Sequence, residues 1–275
     1  MSFIGYQSIS SLQNSKIKEV VKLREAKYRR LSKNFVVEGM RESTRAMQCR
    51  LKLVSVFVKE GSLTQDERLE LDSQCEKNRV KYIFSVSEAV FQKIAVRSST
   101  EKIVCVFEKN LKKLSDITQG KDTVICVLDG IEKPGNLGAI LRSCEGAGIA
   151  TVLLSNYKGD VFSPAAIRSS VGAIFNLKLI LADDIDIYDF LKDKNYRFLG
   201  AALTEGSKSM YDLKLTKSKQ PIAICLGSED FGLSDFWLTN SEHVVIPMRG
   251  ISDSLNVSVA AGILFYEVTR NENLS

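Results

Sequence analysis

The stretch that decides the fold lies near the end of the chain, Val244–Glu267, with the sequence VVIPMRGISDSLNVSVAAGILFYE. Its first residues are apolar and Pro247 stops the run, which is typical of the end of a buried strand. A polar loop follows, and Leu255–Phe265 then has the composition of a buried helix. Small polar side chains crowd the start of that helix, where such groups cap backbone donors or hold a ligand. Taken alone, this segment favours a capped core helix over a site.

Two earlier stretches repeat the arrangement of a buried strand followed by polar residues. VICVL at Val124–Leu128 leads into a turn, and IAICL at Ile222–Leu226 leads into an acidic loop bounded by glycines. Strands that alternate with helices predict a mostly parallel sheet with helices on both faces. Because the carboxyl ends of parallel strands meet at one edge of a sheet, the three junctions predict an α/β site at that edge.

Three motifs in these stretches resemble those of the SpoU (TrmH) branch of the SPOUT RNA methyltransferases. They are NLGAILR at Asn136–Arg142, GSEDFGL at Gly227–Leu233, and IPMRG followed by SLNVS between Ile246 and Ser258. A fourth stretch, DVFSPAAIRSSVG at Asp160–Gly172, agrees in order and spacing. An ordered set of motifs is far more specific than a lone glycine motif, and the resemblance covers roughly residues 123–270.

The resemblance implies a SPOUT α/β domain with a parallel sheet and a deep trefoil knot, whose C-terminal loops bind S-adenosylmethionine. It implies five cofactor contacts: Leu226, Gly227, Ile246, Met248 and Leu255. An adenine fits an apolar slot with backbone hydrogen bonds, and glycines let the backbone approach closely. The alternative is that these are core residues and turn glycines. No strand is followed by GxGxxG, which argues against an ordinary nucleotide-binding Rossmann site.

The reaction implied is methyl transfer to a ribose 2′-hydroxyl, with catalytic roles for Asn136, Arg142, Glu229, Ser254 and Asn256. A guanidinium keeps its proton at neutral pH, so we expect Arg142 to bind the target phosphate or polarise the 2′-oxygen, and to act as a base only in the assembled site. A salt bridge to a carboxylate is its structural alternative. The two asparagines would fix this arginine and the ribose. Glu229 would orient the site or pair with Arg142, and Ser254 would donate to the substrate phosphate or cap the last helix.

Basic residues are concentrated in the first part of the chain. Residues 1–120 hold 23 Lys and Arg against 14 Asp and Glu, whereas residues 121–275 hold 15 against 19. This change from a net positive to a net negative charge predicts a polyanion-binding part ahead of the catalytic part. An ordinary solvated surface would give the same counts.

We expect four segments along the chain. They are a basic helical extension over residues 1–32, a small α/β RNA-binding domain similar to a ribosomal-protein fold over 33–112, a linker over 113–122 and the SPOUT catalytic domain over 123–275. Arg29 and Arg30 of the basic helix and Arg168 of the fourth stretch are predicted RNA contacts, with a surface or packing role as the alternative. The polar loop 97–100 is of the kind that contacts RNA.

Composition excludes several other classes of protein. Six scattered cysteines without CxxC spacing, and a single histidine, argue against a zinc site and against a disulfide scaffold, so we expect no metal. No apolar run approaches ~18 residues, so we expect no membrane span. The N-terminal residues lack a secretory pattern, which favours the cytoplasm.

Together these features predict a cytoplasmic, S-adenosylmethionine-dependent RNA 2′-O-ribose methyltransferase that acts on ribosomal RNA. Transfer RNA is the alternative substrate, and a non-catalytic RNA-binding or ribosome-assembly protein is the alternative of another class. Lys133 and Ser228 depart from residues common in the family, so substrate identity does not transfer with the motifs. The resemblance also implies a homodimer, since SpoU enzymes complete each site at a two-fold interface, and the apolar run Val257–Phe265 offers a second face for a partner.

Overall fold

The computed structural model describes residues 5–80, 82–96, 100–213 and 220–270. Residues 97–99 of the predicted RNA-contacting loop lie outside these ranges. The chain forms two compact units, one comprising residues 1–110 with 160–175 and the other residues 111–159 with 176–275. Each unit has its own sheet.

The first unit is built on a mixed five-stranded sheet in the order β1-β4-β3-β5-β2. Its strands are β1 (Gly5–Ile9), β2 (Asn34–Glu38), β3 (Leu53–Lys59), β4 (Tyr82–Val86) and β5 (Ile103–Glu108). Its first helices are α1 (Ser15–Leu23), α2 (Ala26–Leu31), α3 (Met40–Gln48), α4 (Gln65–Lys77) and α5 (Glu88–Ile94). Strands β1, β4 and β3 are parallel, and β5 runs antiparallel between β3 and β2.

The stretch predicted as a helical extension, residues 1–32, is an integral part of this first unit. Strand β1 pairs with β4 from Gly5 to Ile9, and the structure divides the basic stretch into α1 and α2. Ile17, Val20 and Leu23 of α1 are at most 3% exposed and pack in one core with Phe57. Burial of this apolar face ties the extension to the sheet, because each fully buried aliphatic side chain contributes about 1.5–3 kcal/mol.

The second unit is built on a seven-stranded sheet in the order β10-β12-β9-β11-β6-β7-β8, with every neighbouring pair parallel. Its strands are β6 (Val124–Asp129), β7 (Thr151–Ser155), β8 (Lys178–Ala182), β9 (Arg197–Ala201), β10 (Lys208–Ser209), β11 (Ile222–Leu226) and β12 (Glu242–Val245). Its helices are α6 (Pro134–Gly146), α8 (Asp184–Asp193), α9 (Asp235–Thr239) and α10 (Val257–Thr269). The predicted α/β class with a parallel sheet is confirmed.

Residues 160–175 were predicted as part of the catalytic domain but belong to the first unit, where helix α7 (Pro164–Ser169) lies. The rings of Phe162 and Phe175 stack on Phe35 of β2, with centroids 4.4 and 6.0 Å from it. All three rings are buried. This aromatic packing, between residues far apart in sequence, explains why residues 160–175 belong to the first unit although the chain on either side of them belongs to the second.

Helices of the second unit cover both faces of its sheet. Ile125 and Val127 of β6 point into a core that includes Trp237 of α9, the only tryptophan of the chain. Cys126 points to the opposite face, against Cys144 of α6. Because both faces are covered, β6 and β11 are apolar at nearly every position, as in other parallel sheets.

Candidate active site

A cavity of about 470 Å³ lies where strands β9, β11 and β12 end. Its walls are Ala201–Leu203 after β9, Leu226–Glu229 after β11, Val244–Ile246 and Met248 at the end of β12, and Asp253–Val257 at the start of α10. This position, at the carboxyl ends of parallel strands, is the usual ligand site of an open α/β sheet, and the volume suits a small-molecule or cofactor site. All five residues predicted as cofactor contacts line it.

The loop after β11 requires a glycine at position 227. A Cβ there would lie 2.0 Å from the carbonyl carbon of Gly232 and 2.1 Å from the backbone nitrogen of Leu233. Ser228 and Gly232 exchange two backbone hydrogen bonds of 2.9 and 3.0 Å, and Gly232 has a φ of +69°. The loop is therefore a tight turn, folded back on its own first residue, and Glu229 lies within it.

A chain of side-chain hydrogen bonds joins the three predicted motifs. Nδ2 of Asn136, in the first turn of α6, donates to Oε1 of Glu229. Nδ2 of Asn256 donates to Oδ1 of Asn136 over 3.3 Å. Oδ1 of Asn256 then accepts from the backbone N–H and the hydroxyl of Ser258, at 2.9 and 2.7 Å, and so caps α10. We call Glu229, Asn136 and Asn256 the amide relay.

The charge of Glu229 determines the orientation of both amides in the amide relay. A carboxylate only accepts, so Asn136 must turn its NH₂ group towards Glu229 and its oxygen towards Asn256. Asn256 must then donate to that oxygen and use its own oxygen as the helix cap. Each NH₂ group keeps a second N–H for another acceptor. Asn256 therefore caps the helix, as predicted, and also lines the cavity.

Two further contacts position the Glu229 loop. Nζ of Lys133, just before α6, lies 3.9 Å from Oε2 of Glu229 and 3.9 Å from Oδ1 of Asp230. The lysine side chain is 60% exposed and that of Glu229 only 14%, so solvent screens this attraction and we treat it as weak. Buried Asp129, at the end of β6, accepts from the backbone N–H of Ser234 over 2.7 Å and ties the far end of the loop to the sheet.

Arg142 and Ser254 lie apart from the amide relay. Arg142 is exposed on α6, and its side chain makes no hydrogen bond or ion pair with any other described residue, so the predicted pairing with Glu229 is absent. Its guanidinium is accordingly available to an external anion. Ser254 lines the cavity, but Asn256 rather than Ser254 caps α10, so only its predicted contact with substrate remains as a hypothesis.

The three arginines predicted to bind RNA belong to the first unit and have different environments. Arg29 is 4% exposed, its Nε lies 2.6 Å from Oδ2 of Asp160, and one of its terminal nitrogens donates to the carbonyl of Leu23 over 2.7 Å. A buried, paired guanidinium holds the segment 160–175 in place, which corrects the prediction of a phosphate contact. Arg30 is exposed and Arg168 is half-buried, and for both the RNA contact stays a prediction.

Several residues of the cavity wall are not predicted from the sequence. Lys133 was noted only as a departure from the family pattern, and Asp253 only as part of a polar loop, although both line the cavity. Asp253 adjoins the predicted Ser254, which was the available signal. Leu203 lies two residues beyond β9, and nothing in its local sequence distinguishes it from any other loop leucine.

Within the described ranges, no cluster of three or more His, Cys, Asp or Glu side chains is arranged to hold a metal ion. The helices of those ranges are also too short or too polar for any of them to cross a membrane.

Comparison with known proteins places these observations in a family. The family model for SpoU rRNA methylases matches residues 123–266, and that for an MRM3-like substrate binding domain matches residues 14–105. The chain is 26% identical over 263 residues to the 23S rRNA (guanosine(2553)-2′-O)-methyltransferase RlmP of Bacillus subtilis, which covers 95% of this chain and 99% of that protein.

Two solved structures cover nearly the whole chain. A crystal structure of an RNA 2′-O ribose methyltransferase is 34% identical, with a TM-score of 0.79, and covers 98% of this chain and 100% of its own. The AdoMet-bound rRNA methyltransferase from Sinorhizobium meliloti is 25% identical, with a TM-score of 0.86, and covers 98% of this chain and 99% of its own.

Proposed function

Because the chain belongs to the SpoU rRNA methylase family, we propose that it transfers a methyl group from S-adenosylmethionine to a ribose 2′-hydroxyl of ribosomal RNA. The predicted family and the predicted class of enzyme are confirmed. The observation that carries the residue assignment is the amide relay, which joins all three motifs and whose Glu229 and Asn256 also line the cavity.

The cavity fits the cofactor in size and in chemistry. Leu226, Ile246 and Leu255 supply apolar surface for an adenine, and the volume of the cavity lies within the range of cofactor sites. Glu229 and Asp253 supply negative charge for a ligand that carries a sulfonium and an ammonium group. S-adenosylmethionine, when bound, supplies an electrophilic methyl group.

The chain's own residues then have to orient a ribose and stabilise charge. The remaining N–H groups of Asn136 and Asn256 are donors held in one orientation by Glu229, so little reorganisation is needed when a ribose oxygen binds. We assign exposed Arg142 to the target phosphate or the 2′-oxygen, where its permanent charge stabilises that oxygen while the hydroxyl proton passes to solvent water. Ser254 is assigned to the same substrate phosphate.

Calorimetry on the full chain tests the cofactor site. Wild-type protein should bind S-adenosylmethionine. Met248→Lys should lose most of that binding, because it adds a positive charge to a wall facing a cationic ligand, whereas Met248→Leu should retain it. Equal affinity of the lysine and leucine variants would contradict the placement of the cofactor.

Assays with labelled cofactor distinguish the possible substrates. Ribosomal RNA lacking the modification should accept label at a ribose 2′-oxygen. Label in transfer RNA alone would favour the alternative substrate. Binding of RNA without any transfer would favour the non-catalytic alternative. We assign RNA binding to the first unit, supported by its substrate-binding family match, and retain Arg30 and Arg168 as its proposed contacts.

We also propose that the protein is a homodimer through α10. Val259 and Tyr266 on this helix are 49% and 59% exposed, and with Ile263 they form a stripe at the spacing i, i+4, i+7. Such a face suits a two-fold contact with the same helix of a second copy. Sedimentation should show a dimer for the wild type and a monomer for Val259→Asp; a fully active wild-type monomer at micromolar concentration would contradict the proposal.

We propose two further properties of the protein. The first is a deep trefoil knot in the second unit, for which the support is the family. The second is a cytoplasmic location, for which the support is that all six cysteines lie in the described ranges and none forms a disulfide, as in a reducing compartment.

A further inference from the structure

Phe231 is the most exposed large aromatic side chain of the described residues, at 91%. It follows Glu229 and Asp230 in the tight turn after β11. A single exposed apolar residue on a surface is ordinary and by itself indicates nothing. Phe231 is unusual because it directly follows Asp230 and lies two positions after Glu229 of the amide relay.

The turn holds the backbone of Phe231 in place. Its N–H donates to the hydroxyl of Ser228 over 3.2 Å, inside the pair of backbone hydrogen bonds between Ser228 and Gly232. The turn is also packed against Gly227 so closely that no side chain fits there. An aromatic ring on such a fixed backbone can be buried by a ligand at a small entropic cost, because only its two side-chain torsions must be fixed.

A second, smaller cleft of about 210 Å³ lies beside the ring. Besides Phe231, its lining includes two lysines, three carboxylates and an amide: Lys133, Lys158, Glu132, Glu229, Asp230 and Asn156. An exposed aromatic ring stacks on a nucleic-acid base whatever the base is, and the two lysines offset two of the three carboxylate charges beside it, so stacking rather than charge carries this contact. Glu229 is shared between this cleft, the amide relay and the larger cavity, so a base here would lie close to the proposed reaction site.

From these observations we propose that Phe231 stacks on a base of the RNA substrate, at or next to the methylated nucleotide, and thereby positions that nucleotide. The proposal rests on the proposed RNA methyltransferase function. The ring adjoins a cleft lined by charged and amide side chains rather than an apolar surface, which favours a nucleotide of the RNA over a second copy of the chain as its partner.

The test compares four variants of the full chain. Phe231→Ala and Phe231→Leu should weaken RNA binding and lower kcat/KM for RNA by about ten- to hundredfold, because stacking contributes about 1–3 kcal/mol per base. Phe231→Trp should keep both near the wild-type values. Ile185→Ala removes another exposed apolar residue of the same unit, 62% exposed on α8, and should change neither. Circular dichroism verifies that each variant is folded, and calorimetry with S-adenosylmethionine should give wild-type affinity for all.

Each other outcome overturns the proposal in a recognisable way. Activity of Phe231→Ala equal to that of the wild type would show that the ring contacts no base. Full activity of Phe231→Leu with loss in Phe231→Ala would indicate apolar packing instead of stacking. A change of oligomeric state in Phe231→Ala, measured by sedimentation, would assign the ring to a protein interface. A wild-type protein that binds and methylates no RNA would overturn the proposed function as well.

Discussion

Asn136 donates a hydrogen bond from Nδ2 to Oε1 of Glu229, and this contact joins the first turn of α6 to the turn after β11. The two residues are 93 positions apart in sequence, and each follows one of two neighbouring strands, β6 and β11. Glu229 is largely shielded from solvent and fixes the orientation of the Asn136 amide, whose oxygen then accepts from Asn256. One carboxylate therefore sets the side-chain geometry in all three motifs.

Arg142→Ala should separate catalysis from stability. Arg142 is exposed and has no partner among the described residues, so its truncation should change the free energy of unfolding by less than about 0.5 kcal/mol. Methyl transfer should fall by about a hundredfold or more, because a charge that acts on the substrate is lost. Rates with labelled cofactor, together with calorimetry of cofactor binding, measure both effects. Transfer near the wild-type rate would show that Arg142 has another role.

Gly227→Ala should destabilise the second unit by about 1–3 kcal/mol or more and abolish cofactor binding. The added methyl group would collide with the backbone of Gly232 and Leu233, which cannot rotate away as a side chain does. Gly250→Ala is the matched control in the same unit, because a Cβ there meets no atom within 4 Å and its φ is not positive. Denaturant unfolding followed by Trp237 fluorescence measures the difference. Equal stability of the two variants would contradict the close approach.

The carboxylate of Asp122 stabilises the second unit near neutral pH, and this stabilisation should be lost in acid. Burial raises the pKa of this carboxyl, but hydrogen bonds from Lys178, Thr151 and Thr118 outweigh it, and the folded-state pKa lies below the usual value. The carboxylate therefore contributes stability above the unfolded-state pKa of about 4 and loses it as pH falls through the folded-state value.

Asp122→Ala tests this account of acid sensitivity. At pH 7 the variant should be about 3 kcal/mol less stable, since it leaves the part-buried ammonium of Lys178 without its partner. The difference from the wild type should shrink below about pH 4, where the Asp122 carboxylate of the unfolded chain takes up a proton before that of the folded protein does. Unfolding curves between pH 3 and 7, recorded on Trp237, provide the measurement. A difference that stays constant with pH would rule the account out.

Arg29→Ala should destabilise the first unit. Removing one partner of a buried ion pair typically costs about 3–5 kcal/mol, because the other charge stays buried, and the side chains of Arg29 and Asp160 are 4% and 9% exposed. Asp160→Ala should have an effect of similar size, and the double variant should lose less than the sum of the two. Circular dichroism and a double-mutant cycle test this. Normal stability with weakened RNA binding would restore the phosphate contact predicted from sequence.

Local sequence patterns predict those strands and helices in which successive residues are buried and apolar. Strand β11 was predicted with the observed bounds, Ile222–Leu226, because all five of its residues are buried and apolar. Strand β1 was missed, since GYQSI buries only Ile9 and shows neither alternation nor an apolar run. Helix α9 was missed because it has only five residues, fewer than a helical period needs to become visible.

The contacts that escaped prediction join residues far apart in the chain. Basic residues around Arg29 indicate an RNA-binding face, and only the fold shows that Asp160, 131 positions later, neutralises this particular arginine. In the same way, the stacking of Phe162 on Phe35 has no local signature. The site residues were predicted to meet because strand ends converge, but the direction of each hydrogen bond in the amide relay follows from the side-chain geometry alone.

The function proposed for the amide relay and the adjoining cavity is methylation of a ribose of ribosomal RNA. Mapping of 2′-O-methyl groups in RNA tests it most directly, in cells that lack the gene and in the same cells complemented with the wild type or with Asn136→Ala. The account predicts that one ribosomal 2′-O-methyl group is absent without the gene, returns with the wild type, and stays absent with Asn136→Ala although that variant is folded. Full ribosomal methylation without the gene, or restoration by Asn136→Ala, would contradict it.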